Sequence, residues 1–138
     1  ESLVRIPDGP RVVLPRGVFA RAENAVLRLA RDEQNTERCA VEIEARAEKE
    51  PNQALAARFQ KEGVTRCTET ACLMEDGQTL PIVSMQNIKR MPAPPGNALH
   101  LVLARTFYDK TILLTYCPDD RRWSEQELAK LLLHNLRP

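Results

Sequence analysis

The chain has 138 residues, of which 43% are hydrophobic and 28% are charged, as is usual for one globular domain with its own core. Its 20 basic and 19 acidic residues give a net charge of +1. This balance argues against nucleic acid as a partner, because a nucleic-acid-binding face needs an excess of basic residues. No apolar run approaches the roughly 20 residues that a membrane-spanning helix needs. We therefore expect a single domain over residues 1–138 without a membrane span.

The N-terminal segment, residues 1–17, is interrupted by prolines and is expected to be extended. Its apolar run at residues 12–14 lies between Pro10 and Pro15. Because proline is tolerated at the edge of a sheet, we predict a short edge strand at this run.

Residues 18–31 permit two interpretations, helix or strand. Their apolar residues fit a helical stripe, but Leu27 and Leu29 also alternate with polar neighbours as they would in a strand. Residues 37–46 are clearer, since apolar and charged residues alternate there and predict a strand with one solvent-facing side. If the preceding segment is also a strand, the polar residues 32–36 close a hairpin, which favours the strand without deciding the question.

A central helix is predicted at about residues 52–62. Asn52 is a suitable N-cap for it, and Gly63 stands where helices often end in a left-handed residue. Val64 is then expected to pack back on Phe59.

The middle of the chain predicts a series of strands. Residues 64–76 indicate one strand that is bent around two cysteines, and Asp76-Gly77 is a strong turn signal. Residues 80–91 predict a further strand. The proline-rich residues 92–97 then predict a rigid surface loop, because proline and glycine stop regular structure.

The last forty residues carry the clearest signals. Alternation over residues 99–117, with a turn at Tyr108-Asp109-Lys110, predicts a hairpin of half-buried antiparallel strands. Ser124 and Glu127 have the spacing of a capping box, and Trp123 can staple onto the helix that follows. The apolar stripe of that helix consists of Leu128, Leu131, Leu132 and Leu136.

These elements predict an α+β fold. A mostly antiparallel β-sheet is expected to carry a central helix, at about 52–62, and a C-terminal helix, at about 124–136.

This layout resembles the PsbP-like superfamily of small α+β domains, which includes the Mog and DcrB proteins. The similarity extends over the whole chain and is greatest at its end, where a hairpin at 99–117, the acidic step Asp119-Asp120, the aromatic Trp123 and a short helix at 124–136 follow one another. The resemblance implies a binding or assembly factor rather than an enzyme. It also implies an exported protein or lipoprotein for members outside the cytosol. The four cysteines match no pattern of that superfamily.

The four cysteines, an even number, indicate two disulfides if the chain is exported to the periplasm or beyond. Cys67 and Cys72 enclose four residues and can pair locally, which would leave Cys39 and Cys117 as the second pair. Three connectivities remain open, and four buried thiols in a cytosolic protein are the alternative. The start at Glu1 is compatible with removal of an N-terminal segment, with or without a lipid anchor.

Catalysis requires a nucleophile, a base and an orienting group that come together. His100 lies on a predicted strand and His134 in the last helical turn, where structural roles suffice. Cys67 and Cys72 lack the two-residue spacing of redox motifs, and a zinc site would need a second close pair of ligands. The sequence therefore predicts no enzyme, no cofactor and no metal.

The candidate partner-binding residues are aromatic residues and arginines, which interfaces favour, together with prolines of the rigid loop. They are Tyr108, Arg121, Arg122, Trp123, Pro94 and Pro95. We expect a non-enzymatic exported binding domain that docks a protein partner. The alternatives are an immunity or inhibitor protein that neutralises a secreted toxin or enzyme, and a small thiol- or metal-dependent enzyme.

Overall fold

The computed structural model describes residues 2–31, 41–68, 71–84, 100–116 and 123–138. The strands among them are β1 (Ser2–Arg5), β2 (Arg11–Leu14), β3 (Phe19–Glu23), β4 (Val26–Ala30), β5 (Val41–Arg46), β6 (Val64–Cys67), β7 (Ala71–Met74), β8 (Thr79–Ser84), β9 (His100–Phe107), β10 (Lys110–Tyr116) and β11 (Leu136–Arg137). The α-helices are α1 (Pro51–Arg58) and α2 (Glu125–Leu133).

These strands form two sheets. The main sheet has the order β3-β4-β5-β10-β9-β8-β7-β6, and the small sheet has the order β1-β2-β11. Neighbouring strands are antiparallel except β8 and β9, which are parallel. The predicted α+β class with a mostly antiparallel sheet and two helices is confirmed.

The main sheet is buried on both faces at its centre. Ile112 and Leu114 of β10 belong to a core that α2 and the small sheet complete. Leu113, between them, belongs to a second core that includes Leu55 and Phe59 of the central helical segment. The expectation that the hairpin strands are half-buried is therefore wrong for β10, because a helix covers each of its faces.

The small sheet differs from the prediction at its middle strand, β2, and at β11. The run around Val12 forms the middle strand of this sheet and not an edge, because β2 pairs with both β1 and β11. Helix α2 ends at Leu133, so Leu136 lies in β11 and not in the helix as predicted. The reason is a reciprocal contact in which Val13 N–H donates to the Asn135 carbonyl and the Asn135 carboxamide donates to the Val13 carbonyl, both at 2.9 Å.

Residues 18–31 form a hairpin, so the helical alternative is wrong. Strands β3 and β4 pair antiparallel and are connected by a turn at Asn24 and Ala25, whose φ angles of 51° and 65° are left-handed. Two such residues form the type of turn that matches the twist of a hairpin. Strand β4 in turn pairs antiparallel with β5, as the strand interpretation predicts. Residues 32–36, which were expected to close that second hairpin, lie outside the described residues.

Helix α1 begins at Pro51, whose fixed φ suits the first helical position. Asn52 therefore lies inside the helix, and its prediction as N-cap is wrong. A single 3₁₀ turn follows the helix and closes at Gly63, whose φ of 90° is the left-handed conformation predicted there. Val64 N–H donates to the Phe59 carbonyl at 3.3 Å, and both side chains share one core, as predicted.

Residues 64–76 contain two strands, β6 and β7, and not one bent strand. Cys67 lies directly opposite Cys72 in this hairpin, and a disulfide joins them, which confirms the predicted local pairing. The turn at Asp76-Gly77 is also confirmed, since the Gln78 N–H donates to the Asp76 carboxylate at 2.9 Å.

The start of α2 has the predicted geometry. Glu127 N–H donates to Ser124 Oγ at 3.1 Å and Ser124 N–H donates to the Glu127 carboxylate at 3.3 Å, which completes the capping box. Trp123 and Leu128 are both buried in the same core, where the predicted staple would place them. Arg31, just after β4, pairs with Glu127 at 2.6 Å and lies 4.5 Å from the Trp123 ring. These contacts tie the helix to the main sheet.

Candidate functional site

A cleft of about 220 Å³ lies where three parts of the chain meet. One wall is the turn between β1 and β2, and the other is the turn between β9 and β10. Pro138, which follows β11, also lines it. The cleft brings Tyr108, a predicted binding residue, next to residues from the N-terminal hairpin.

Tyr108 is the most exposed large apolar side chain among the described residues, with 75% of its surface accessible. It lies in a two-residue turn between Phe107 and Lys110, which face each other in the hairpin. Its φ is 57°, at the first turn position, where hairpins with a positive φ normally use glycine. A left-handed backbone costs an L-residue about 1–2 kcal/mol, so this tyrosine is held at a strained position.

The opposite wall repeats this feature at Asp8, whose φ is also 57°. The Gly9 N–H donates to the Ile6 carbonyl at 2.9 Å, so Asp8 occupies the turn position that usually belongs to glycine. The glycine is needed one residue later, because a Cβ on Gly9 would lie 2.5 Å from the Cβ of Ala45 in β5. Strained residues cluster at functional sites, and Asp8 and Tyr108 both line this cleft.

The cleft carries balanced charge. Arg5 and Lys110 contribute cations, and Asp8 and Asp109 contribute carboxylates. None of these four side chains forms an ion pair with another side chain in the described ranges. Arg5 instead donates to the Gly9 carbonyl at 2.9 Å. The cleft therefore offers charged groups without a described ion-pair partner, next to an aromatic ring.

A separate cluster of charged residues joins α1 to β5. Arg58 contacts Glu44 at 2.8 Å and Glu42 at 3.4 Å, and Arg46 lies 3.8 Å from Glu44. Burial raises the pKa of Glu44, although the charges of Arg58 and Arg46 oppose the shift. A hydrogen bond from Arg46 lowers the pKa of Glu48. Each carboxylate here faces an arginine, so we assign the cluster to the attachment of the helix.

The other predicted site residues are dispersed. Trp123 is only 6% exposed, which suits its role as a staple and leaves little of the ring for a partner. The Cys67–Cys72 disulfide belongs to the second core, away from the cleft lining. Six predicted residues lie outside the described residues: Cys39, Pro94, Pro95, Cys117, Arg121 and Arg122.

The described residues contain no group of three or more His, Cys, Asp or Glu side chains that could hold a metal ion. Among the same residues, no helix is sufficiently long and apolar to span a membrane.

The sequence did not indicate Arg5, Asp8 or Lys110 as site residues. The pair Asp8-Gly9 is itself a turn signal, and Tyr108-Asp109 lies in a predicted turn. What the sequence lacks is any sign that these two turns meet, because their contact depends on the packing of the N-terminal hairpin against β5.

A scan of protein-family models, a search of curated proteins and a search of solved structures each found no match to this chain.

Proposed function

We propose that this chain is an exported binding domain that docks a protein partner through the cleft beside Tyr108. The exposed tyrosine at a strained backbone position carries this proposal. Its ring contacts Phe107 edge-on at 4.8 Å and lies outside both cores, so it does little for the fold. Tyrosine is a favoured interface anchor, since it offers a large contact area at low cost in conformational entropy.

The lining of the cleft supports binding rather than catalysis. Its side chains are cations, carboxylates, aromatic rings and prolines, and no histidine, cysteine or serine is among them. A serine or cysteine nucleophile with a histidine base, the usual pair in acyl-transfer chemistry, is therefore not assembled by these residues. We infer a non-enzymatic role on this basis.

The disulfide supports export, because disulfides persist mainly in oxidising compartments. A periplasmic or secreted protein, or a lipoprotein with an anchor on a removed segment, fits this part of the proposal. Membership of the PsbP-like superfamily is a further part of it. The hairpin of β9 and β10 followed by the capped helix α2 supports that membership in layout.

The test is affinity capture from an envelope extract of the source organism, with the purified chain as bait. We expect one partner to be retained in a stoichiometric amount by the wild type and lost by Tyr108→Gly. Leu133→Ala is the matched control, because Leu133 is 43% exposed but lies on α2, outside the cleft lining. Equal capture by Tyr108→Gly and the wild type would contradict the proposal.

A further inference from the structure

Three arginines lie side by side across the outer face of the small sheet. Arg11 of β2 is directly opposite Arg5 of β1 and directly opposite Arg137 of β11. Residues opposite each other point to the same side, and neighbouring strands are about 4.8 Å apart, so the three side chains form a continuous row. We call Arg5, Arg11 and Arg137 the arginine row. The inner face of the same strands is apolar, since Val12 and Leu136 are buried.

The row is held in position without being neutralised by a described carboxylate side chain. Its guanidinium groups donate to main-chain oxygens: Arg5 to Gly9, Arg11 to Pro138 through two nitrogens at 2.9 and 3.2 Å, and Arg137 to His134 and Leu136. No aspartate or glutamate of the described ranges forms an ion pair with them.

Three other arginines show a contrast. Arg21 and Arg46 of the main sheet and Arg58 of α1 each contact a glutamate within 3.0 Å. Arg105 of β9 resembles the row, since it donates to the Leu132 and Leu133 carbonyls. Like charges directly opposite each other on a sheet repel, and an anion bound across the arginine row would relieve this repulsion. The row therefore presents positive charge to which an anionic partner can bind.

We infer that the partner presents an acidic extended peptide segment to the arginine row. This inference rests on the proposed function and names the chemistry of the partner. Guanidinium groups bind carboxylates through paired hydrogen bonds, which suits a segment with several Asp or Glu residues. Arg5 belongs both to the row and to the lining of the cleft, so the segment that crosses the row continues to Tyr108.

Two features favour a peptide over another polyanion. Leu3, 50% exposed, lies on the same outer face as the row, directly opposite Val13, and offers an apolar contact that a phosphate backbone would not use. Asp8 and Asp109 in the adjoining cleft would repel a long polyanion. An acidic peptide with one aromatic or aliphatic residue beside its carboxylates fits both features.

The test uses a fluorescein-labelled peptide of alternating Glu and Ser followed by one Phe, and a matched peptide in which Gln replaces every Glu. Binding is measured by fluorescence anisotropy at low and at physiological salt. The double variant Arg5→Gln/Arg137→Gln is compared with Arg21→Gln/Arg66→Gln, which removes the same charge from exposed positions on the main sheet. Arg11 is left unchanged because of its bonds to Pro138.

We expect the acidic peptide to bind the wild type and the control double variant alike, and to bind the row variant about 2- to 25-fold more weakly, since each exposed charge pair contributes a factor of about 1.4 to 5. Added salt should weaken binding to the wild type more than binding to the row variant. Thermal unfolding of the row variant should occur at or above the wild-type temperature, because like charges are removed.

The inference fails if the glutamine peptide binds equally well, if both double variants lose affinity equally, or if neither peptide binds at millimolar concentration. It also fails if anionic lipid vesicles or heparin bind through the row more tightly than the peptide does. Capture of the native partner separates it from the proposed function. A partner that is lost by Tyr108→Gly but kept by the row variant overturns only the acidic segment, whereas a partner kept by Tyr108→Gly overturns the proposed function itself.

Discussion

Replacement of Tyr108 by glycine and by alanine should give an unusual order of stability. Glycine normally destabilises a folded chain by about 0.5–1 kcal/mol relative to alanine, because it loses more backbone entropy on folding. At position 108 the backbone is left-handed, with φ at 57°. We expect the order to be inverted there, with Tyr108→Gly more stable than Tyr108→Ala.

The magnitude follows from two contributions. A left-handed conformation costs alanine about 1–2 kcal/mol and costs glycine little, while the entropy of glycine in the unfolded chain offsets about 0.5–1 kcal/mol of that difference. Tyr108→Gly should therefore exceed Tyr108→Ala by about 1 kcal/mol in free energy of unfolding. Both variants lose the edge-on contact with Phe107, which lies at 4.8 Å and is worth at most about 0.5–1.5 kcal/mol.

Urea unfolding of the three proteins, followed by far-ultraviolet circular dichroism, measures these differences, provided that the denaturant slope is the same for each. An alanine variant that is as stable as the glycine variant, or more stable, would refute the claim that Tyr108 is strained. The result also bears on the capture experiment. If Tyr108→Gly is nearly as stable as the wild type but fails to capture the partner, the variant has kept its fold and lost a binding contact.

Three further predictions concern the disulfide and two glutamates of the charged cluster beside α1. Cys67→Ala/Cys72→Ala should lower the free energy of unfolding by about 2 kcal/mol, because the unfolded chain gains the entropy of the opened loop. A change under about 0.5 kcal/mol in urea unfolding would argue against this prediction. Glu44 has a pKa above its ordinary 4.5, so the folded state binds its proton more tightly, and the stability that this group contributes increases as the pH falls through the folded pKa. The free energy of unfolding of the wild type, relative to that of Glu44→Gln, should therefore increase as the pH is lowered from neutral to 4.5. Urea unfolding at each pH measures this difference. The pKa of Glu48 is lowered, so the stability that this group contributes is lost as the pH falls below 4.5. The free energy of unfolding of the wild type, relative to that of Glu48→Gln, should therefore decrease in that range.

The features that the sequence predicted well are local. The capping box of Ser124 and Glu127 and the turn at Asp76-Gly77 each depend on residues at most a few positions apart. Such signals carry their own geometry, since the side chain and the backbone group that it contacts are neighbours in the chain. The pairing of Cys67 with Cys72 belongs to the same group, because the enclosed residues form a hairpin.

The features that the sequence did not predict depend on which segments lie next to each other. Leu136 continues the apolar period of α2, but the helix has already ended, because Asn135 bonds to Val13 and Leu136 pairs with Val12 in the small sheet. Strand β10 alternates like a half-buried strand, but its second face is covered by α1, a helix from the middle of the chain. The sequence does not indicate the arginine row for the same reason, since Arg11 and Arg137 are far apart in the chain and become neighbours only in the sheet.

The small sheet divides its two faces between folding and the proposed binding. Its inward residues, Val12, Leu14 and Leu136, are buried in the core and fix the strands against the main sheet. Its outward residues hold the arginine row at the spacing of adjacent strands, on a support that the core makes rigid. Outward substitutions at Arg5 and Arg137 therefore leave the buried apolar contacts in place, and a loss of affinity in that variant reports on the removed charges rather than on the fold.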